Sequence, residues 1–421
     1  MIGPSLLEHF SALEDPRQSW KVVYPLPEVL LLVLCATLGG AEDFVEVVRW
    51  GRSKLGFLRR FLPYERGVPS HDTLCDVISA LDPELFKAAF SAWVEALREA
   101  EPDIVAIDGK TSRRSHDRGK GRSPLHLVSA WASRQRLVLG QQATEEKSNE
   151  IIAIPLLLER LALTGAIVTI DAMGATPRIA QAVLDRGADY LLALKANQGH
   201  LFEEAELYFR DAATLDAQGL DRHQTVDADH GRIETRRHAV SRDVAWLRAD
   251  RAAPGEPRFP GLKAIAMVEA EVETGGRTTR ARRYYLSSAP LDAQTFARAV
   301  RAHWGVENRL HWVLDVVFHD DLARLRTGHG PQNMAIVNTW PSTCSTRPPE
   351  PTASRHDENA PDGTTTTYRQ SSPRPHETLQ AIPLNQWAFR HSARKRPLKA
   401  SMKALSVGLP GRLKSRVTPW A

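Results

Sequence analysis

The sequence predicts an α/β fold: a mixed sheet with an inserted β region, preceded by a small helical domain. Three observations predict it. Helical periodicity fills the first hundred residues, short apolar runs alternate with helical segments from Asp103 onward, and the composition is that of an ordinary globular protein. With 421 residues, 42% of them hydrophobic and 25% charged, the chain can bury a large core in two domains. The apolar run from Val29 to Ala36 is far shorter than the roughly 20 residues of a membrane span. The start MIGPSLLEHF lacks the pattern of a secretory signal, so the expected compartment is cytoplasmic. Cys35, Cys75 and Cys344 are too few and too widely spaced for a disulfide framework or a zinc site.

In residues 1–100, Leu55, Leu58 and Leu62 fall at helical spacing, and Ser70 in PSHDT is a candidate N-cap. Asp82 caps a further helix with Pro83 at its first position, and Leu85, Phe86, Ala89, Phe90, Trp93, Val94 and Leu97 recur on one face. This region reads as a structural helix set or as a DNA-contacting unit.

From Asp103 the elements follow one another closely. DIVAID (103–108), LHLVSAWAS (125–133) and RLVLGQQAT (136–144) read as three adjacent antiparallel strands. IIAIPLLLERLAL (151–163) reads as a helix, AIVTIDA (166–172) as a buried strand, TPRIAQAVLDRG (176–187) as a helix capped by Thr176 and ended by Gly187, and ADYLLALK (188–195) as the next strand. The order β-β-β-α-β-α-β-α is that of a ribonuclease-H-like fold, an order that other α/β folds share in part. Residues 225–290 interrupt it with RIETRRHAVS, LKAIAMVEAEVE and ARRYYLSSA, which read as an inserted β layer. A helix resumes after Asp292 with Phe296, Val300 and Trp304 and runs on through Glu307, Leu310 and Leu314. The α/β domain spans residues 101–337.

After Val337 the character changes. Residues 341–421 hold eleven of the 27 prolines, 13 Lys and Arg and 5 Asp and Glu, without sustained apolar periodicity. Residues 338–421 read as a disordered basic tail or as a stretch translated out of frame. The second is favoured because the helical run MAIVN stops without a cap. The net charge of +5 is concentrated there, so residues 1–340 carry a net −3 and a polyanion must meet local patches.

Asp108 ends the first strand in AIDGK, and Asp171 ends the fourth in TIDAMG. On neighbouring strands the two carboxylates would share one sheet edge, where their repulsion calls for a cation. Mg²⁺ or Mn²⁺ suits such oxygen ligands. Glu307, on a late helix, would complete a site for two ions acting on a phosphodiester. Read alone, the aspartates are equally well turn residues and Glu307 an exposed helix acid. Glu234 is a rival third acid.

The motifs AIDGK, TIDAMG, DYLLALKANQG, HGRIETR and HWGVENRLHWVLDVVFHDD occur in this order. Together they resemble the DDE transposases of the H-repeat-associated insertion-sequence family. PSHDT and YPLPEVLLLVLCATLGGAEDF resemble that family's N-terminal associated domain. The resemblance covers roughly residues 5–337. It implies that Asp108, Asp171 and Glu307 are the catalytic and metal-holding acids of a DNA transposase. The implied activity is nicking and strand transfer at terminal inverted repeats and target DNA with Mg²⁺ or Mn²⁺, by a homodimer. Where related transposases have a Tyr and an Arg before the Glu and a Lys after it, this chain has Val300, His303 and Leu314. A nuclease without strand transfer and a decayed, DNA-binding-only remnant are the competing functions.

Lys110, Arg113, Arg114, Arg118, Lys120 and Arg122 put six cations into 13 residues after Asp108, either a phosphate clamp or a solvated loop. Lys195, Asn197 and Gln198 follow the fifth strand at the same edge, as phosphate contacts or a polar turn. His230, Arg232 and His303 are further candidates for DNA contact. Arg277, Arg280, Arg282 and Arg283 precede Tyr284 and Tyr285, a mixture suited to distorted DNA or to core tyrosines beside surface arginines.

Overall fold

The computed structural model describes residues 6–344 except 117–118, 120, 145–149, 215–218, 230–231 and 248–258. Residues 345–421, most of the expected tail, lie outside the described residues.

Helices α1 (Leu6–Ser11), α2 (Leu26–Leu38), α3 (Phe44–Ser53), α4 (Leu55–Leu58), α5 (His71–Ala80) and α6 (Pro83–Leu97) come first. Ser70 and Asp82 accept the backbone N–H groups of Thr73 and of Glu84 and Leu85, as their N-cap residue types require. The apolar run of α2 is explained by burial: Val29 through Thr37 are all enclosed, so this helix is hydrophobic all round because neighbours surround it. Among the described residues no helix is long and apolar enough to cross a membrane.

Nine strands form one mixed sheet: β1 (Ile104–Ser112), β2 (Leu125–Ala132), β3 (Leu137–Thr144), β4 (Ile167–Ile170), β5 (Asp189–Leu194), β6 (Asp221–Asp229), β7 (Arg232–Ser241), β8 (Ala264–Thr274) and β9 (Arg277–Ser287). Their order is β3-β2-β1-β4-β5-β9-β8-β7-β6. β1, β2 and β3 pair antiparallel, whereas β4 and β5 lie parallel to β1, the ribonuclease-H-like arrangement expected from the element order. The fold differs from expectation in the inserted region. Residues 221–287 do not make a separate layer, because β9 pairs antiparallel with β5 and carries β8, β7 and β6 outward in the same sheet. Cross-strand ion pairs hold that extension together: Arg237 with Glu269 and Glu271, Arg280 with Glu271, and Arg282 with Glu269.

Helices α7 (Glu150–Glu159), α8 (Pro177–Asp185), α9 (His200–Thr214) and α10 (Ala293–Gly305) pack on the sheet. Thr176 caps α8 and Asp292 caps α10. Phe296 of α10 stands edge-on to Tyr285 at 5.3 Å. The helix does not run on evenly past Gly305. Val306–His311 widen into a π turn before α11 (Trp312–Val316), with Val306, Leu310 and Leu314 buried on its inner side.

The last described helix, α12 (Gly330–Cys344), corrects the reading that helix ends at Val337. Its continuation carries Trp340 into the core of the N-terminal helices. There the indole stacks on Phe10 at 5.0 Å and on Phe90 at 5.5 Å, with Phe86 and Trp93 beside it. Asn333 of the same helix donates to the carbonyls of Ile78 and Leu81, where α5 ends. Packing with residues hundreds of positions earlier, not local periodicity, carries this helix through Trp340.

Candidate active site

The parallel register of β1 and β4 builds the site. Ile107 pairs with Ile170, the last pair between these strands, so Asp108 and Asp171, each the next residue, come side by side where β4 ends; β1 itself does not end at Asp108, as its sequence suggested, but runs on to Ser112 paired with β2. β4 ends at this point because Asp171 opens a 3-10 turn, Ala172–Gly174. The helical segment that contains the π turn carries Glu307 at an exposed position within electrostatic reach of Asp108.

Asp108 records the consequence. Burial pushes its carboxyl up to about 7, and the negative charges of Glu307, Glu150 and Asp171 add to the rise, against one hydrogen bond from the Gly109 N–H. His311 stands 3.6 Å from Asp108 but supplies no compensating charge at neutral pH, since burial, and after it the nearby Lys110 ammonium, push its imidazole down to about 4. Asp171 behaves differently. Burial works to raise it, yet the Ala172 N–H and the Lys195 ammonium, 3.0 Å away, hold it below the usual carboxylate range. One wall of the site is therefore neutralised and the other is not. Hard oxygen donors crowded around an uncompensated carboxyl fit a divalent cation such as Mg²⁺ or Mn²⁺.

Glu150, at the start of α7, has no counterpart in the sequence reading. It lines the pocket shared with Asp108, Asp171, Met173 and Gly174. His126 on β2 holds it at 2.7 Å through Nε2, and the same ring meets the Thr111 hydroxyl at 2.7 Å through Nδ1. Gly109 makes room for this pair: a Cβ there would lie 2.3 Å from Glu150 Oε1 and 2.6 Å from His126 Nε2.

The basic residues divide sharply. Lys110, expected in the phosphate clamp, is enclosed: its ammonium lies 2.6 Å from Asp315, 3.6 Å from Asp320 and 3.5 Å from Asp321, and Ser112 donates to Asp320. Those three carboxylates form a cluster with the spacing of a metal site, but the lysine already stands among them. Burial disfavours the Lys110 charge, and the three aspartates more than offset it, so its pKa stays above the ordinary lysine value. Lys110 is thus a tie between β1 and both α11, through Asp315, and the segment after it, through Asp320 and Asp321. Arg113 reaches Asp321 but is largely exposed, Arg114 is exposed, and Arg122 donates to the carbonyls of Arg326 and Gly328 from an exposed position. Arg118, Lys120 and His230 lie outside the described residues, as does the side chain of Asn197.

Lys195 reaches the acids themselves, through Asp171. His303 is half-buried, with Nδ1 3.0 Å from the Thr169 hydroxyl, so it braces α10 against β4 and does not face solvent as a phosphate ligand would. Arg232 pairs with Glu234, which also pairs with Arg236. Both lie on β7, separated from β4 by β8, β9 and β5, and this removes Glu234 as a rival third acid. Tyr284 and Tyr285 are core residues, Arg280 and Arg282 are paired across strands, and Arg283 lies over the Trp304 ring. Val300 and Leu314 are buried, so neither place meets phosphate.

The family described as Transposase DDE domain matches residues 99–340, and its associated-domain family matches residues 7–94. The "H repeat-associated putative transposase YhhI" of Escherichia coli strain K12 is 40% identical over 77% of this chain and 85% of its own length. A protein of Xanthobacter autotrophicus, described only by its place in the dhlA 3′ region, is 40% identical over 69% of this chain and 96% of its own. A solved piggyBac transposase synaptic complex with hairpin DNA is similar with a TM-score of 0.39 and 10% identity, over 81% of this chain and 72% of that one.

Proposed function

This chain belongs to the transposase DDE-domain family, and we propose that it cuts and rejoins phosphodiester bonds at the ends of an insertion sequence. In this reading Asp108, Asp171 and Glu307 are the acids that hold Mg²⁺ or Mn²⁺. The observation that carries it is the β1–β4 register, which sets Asp108 beside Asp171 under the reach of the Glu307 charge. Two bound divalent cations would supply a water or 3′-hydroxyl made nucleophilic near neutral pH and would stabilise the leaving oxygen.

The chain's own residues supply position and charge. The two strands fix the aspartates, and the buried Val306, Leu310 and Leu314 anchor the segment that presents Glu307. Lys195, exposed beside Asp171, meets an incoming phosphate at the same edge, while Arg113, Arg114 and Arg122 give sequence-independent phosphate contacts from the loop after β1. An element has two ends, and a homodimer would offer a site to each.

The test is a plasmid carrying the element's two terminal repeats, incubated with the full chain and Mg²⁺. Nicks at the repeat ends and joined products are expected, and EDTA should abolish both. Nicks without joining would leave only the nuclease activity. Bound but uncut DNA in both Mg²⁺ and Mn²⁺ would overturn the catalytic reading in favour of a binding-only remnant.

A further inference from the structure

Resting on the reading of Asp108 and Asp171 as cation ligands, we propose that Glu150 is a fourth carboxylate of that site, aimed by the His126–Thr111 pair behind it. Three features of the structure place it there. The residue is buried at the head of α7 and lines the pocket between Asp108 and Asp171. Its Oε1 is held by His126 at 2.7 Å, and the opposite nitrogen of that ring meets the Thr111 hydroxyl at 2.7 Å. With the ring proton on Nε2, the imidazole accepts from the Thr111 hydroxyl and donates to Glu150, an arrangement both contacts allow and one that fixes where the carboxyl group points. Finally, the missing side chain at Gly109 leaves the space in which Glu150 and His126 meet beside Asp108.

A carboxylate that served packing alone would have little reason to stand beside the half-buried Asp108. Crowded acids that are partly withdrawn from water are costly, and the imidazole contact satisfies only one oxygen. A cation between Glu150 and Asp108 reverses that balance. The hydrogen-bonded imidazole then acts as outer-shell support, the role such partners play when they orient a metal-bound carboxylate. Sequence reading passes over Glu150 because an acid at a helix start has an ordinary role, favouring the positive end of the helix dipole.

The test measures Mn²⁺ binding to the full chain, followed by loss of the free-ion electron paramagnetic resonance signal and independent of any cutting. Glu150→Gln keeps the hydrogen bond to His126 and removes the charge. It should weaken Mn²⁺ binding by about tenfold or more with thermal melting unchanged. Asp108→Asn is measured alongside. Loss in Asp108→Asn with unchanged affinity in Glu150→Gln would overturn the assignment of Glu150 and leave the site standing. No loss in either would overturn the site itself. If Glu150→Gln does not fold, Glu150→Asp retains the charge but withdraws the carboxylate, and it should show the same weakening. Unchanged affinity in that variant would equally overturn the proposal.

Discussion

Asp108→Asn should lower nicking by roughly a thousandfold while leaving duplex affinity within about threefold. The cations are asked to supply several kcal/mol at the transition state, and each 1.36 kcal/mol is a factor of ten in rate. The amide keeps the shape and the Gly109 hydrogen bond but donates poorly to a hard cation. Binding survives because the phosphate contacts come from other residues. The same carboxyl sets a pH dependence. Raised to about 7 in the cation-free protein, it must lose its proton before it can bind metal, so Mn²⁺ affinity should climb about tenfold per pH unit below 7 and level off above it. Asp108→Asn should flatten that slope. A variant that cuts at the parent rate, or keeps the slope, would show that Asp108 is not a ligand.

Trp340→Ala should cost about 3–5 kcal/mol of stability, the range for removing a large buried aromatic. Trp340 is only 1% exposed and packs against four other aromatic rings. Its indole N–H is buried without a partner among the described residues, so Trp340→Phe, which keeps a ring and removes that unmet donor, should cost much less. A chain cut after Val337 should lose stability as the alanine variant does, because the cut removes the same side chain. Denaturant unfolding monitored by circular dichroism measures all three. An unchanged midpoint for Trp340→Ala would mean that α12 is not part of the core.

The contrast between Trp340 and Asp108 shows what was legible beforehand. Asp108 and Asp171 each follow a short, mostly apolar run, so both positions could be read directly, although only β4 ends at its aspartate and β1 continues to Ser112. Ser70, Asp82 and Thr176 were likewise legible as caps, since capping is local chemistry. Trp340 was not, because NTWPSTC has neither helical periodicity nor a favourable composition, and its partners lie as far back as Phe10. Lys110 misled for the same reason. Six cations in 13 residues look like a phosphate clamp until Asp315, Asp320 and Asp321, two hundred positions later, close around one of them. Glu150 needed His126 from another strand and the gap at Gly109 before it differed from any acid at a helix start. The β6–β9 extension hid its pairing with β5, because the buried end of β9, Tyr284–Ser287, that meets Leu191–Leu194 would suit the core of a separate layer as well as a continuation of the same sheet.

The central claim is that two strands and one helical segment deliver Asp108, Asp171 and Glu307 to a single cation site. Crystals of the full chain soaked in Mn²⁺ and recorded for anomalous scattering at the manganese edge test it most directly. The account predicts anomalous density between those three carboxylates, with Lys110 still enclosed by Asp315, Asp320 and Asp321. Manganese at the Asp315–Asp320–Asp321 cluster with none beside Asp108, or no manganese at either place under saturating conditions, would contradict it.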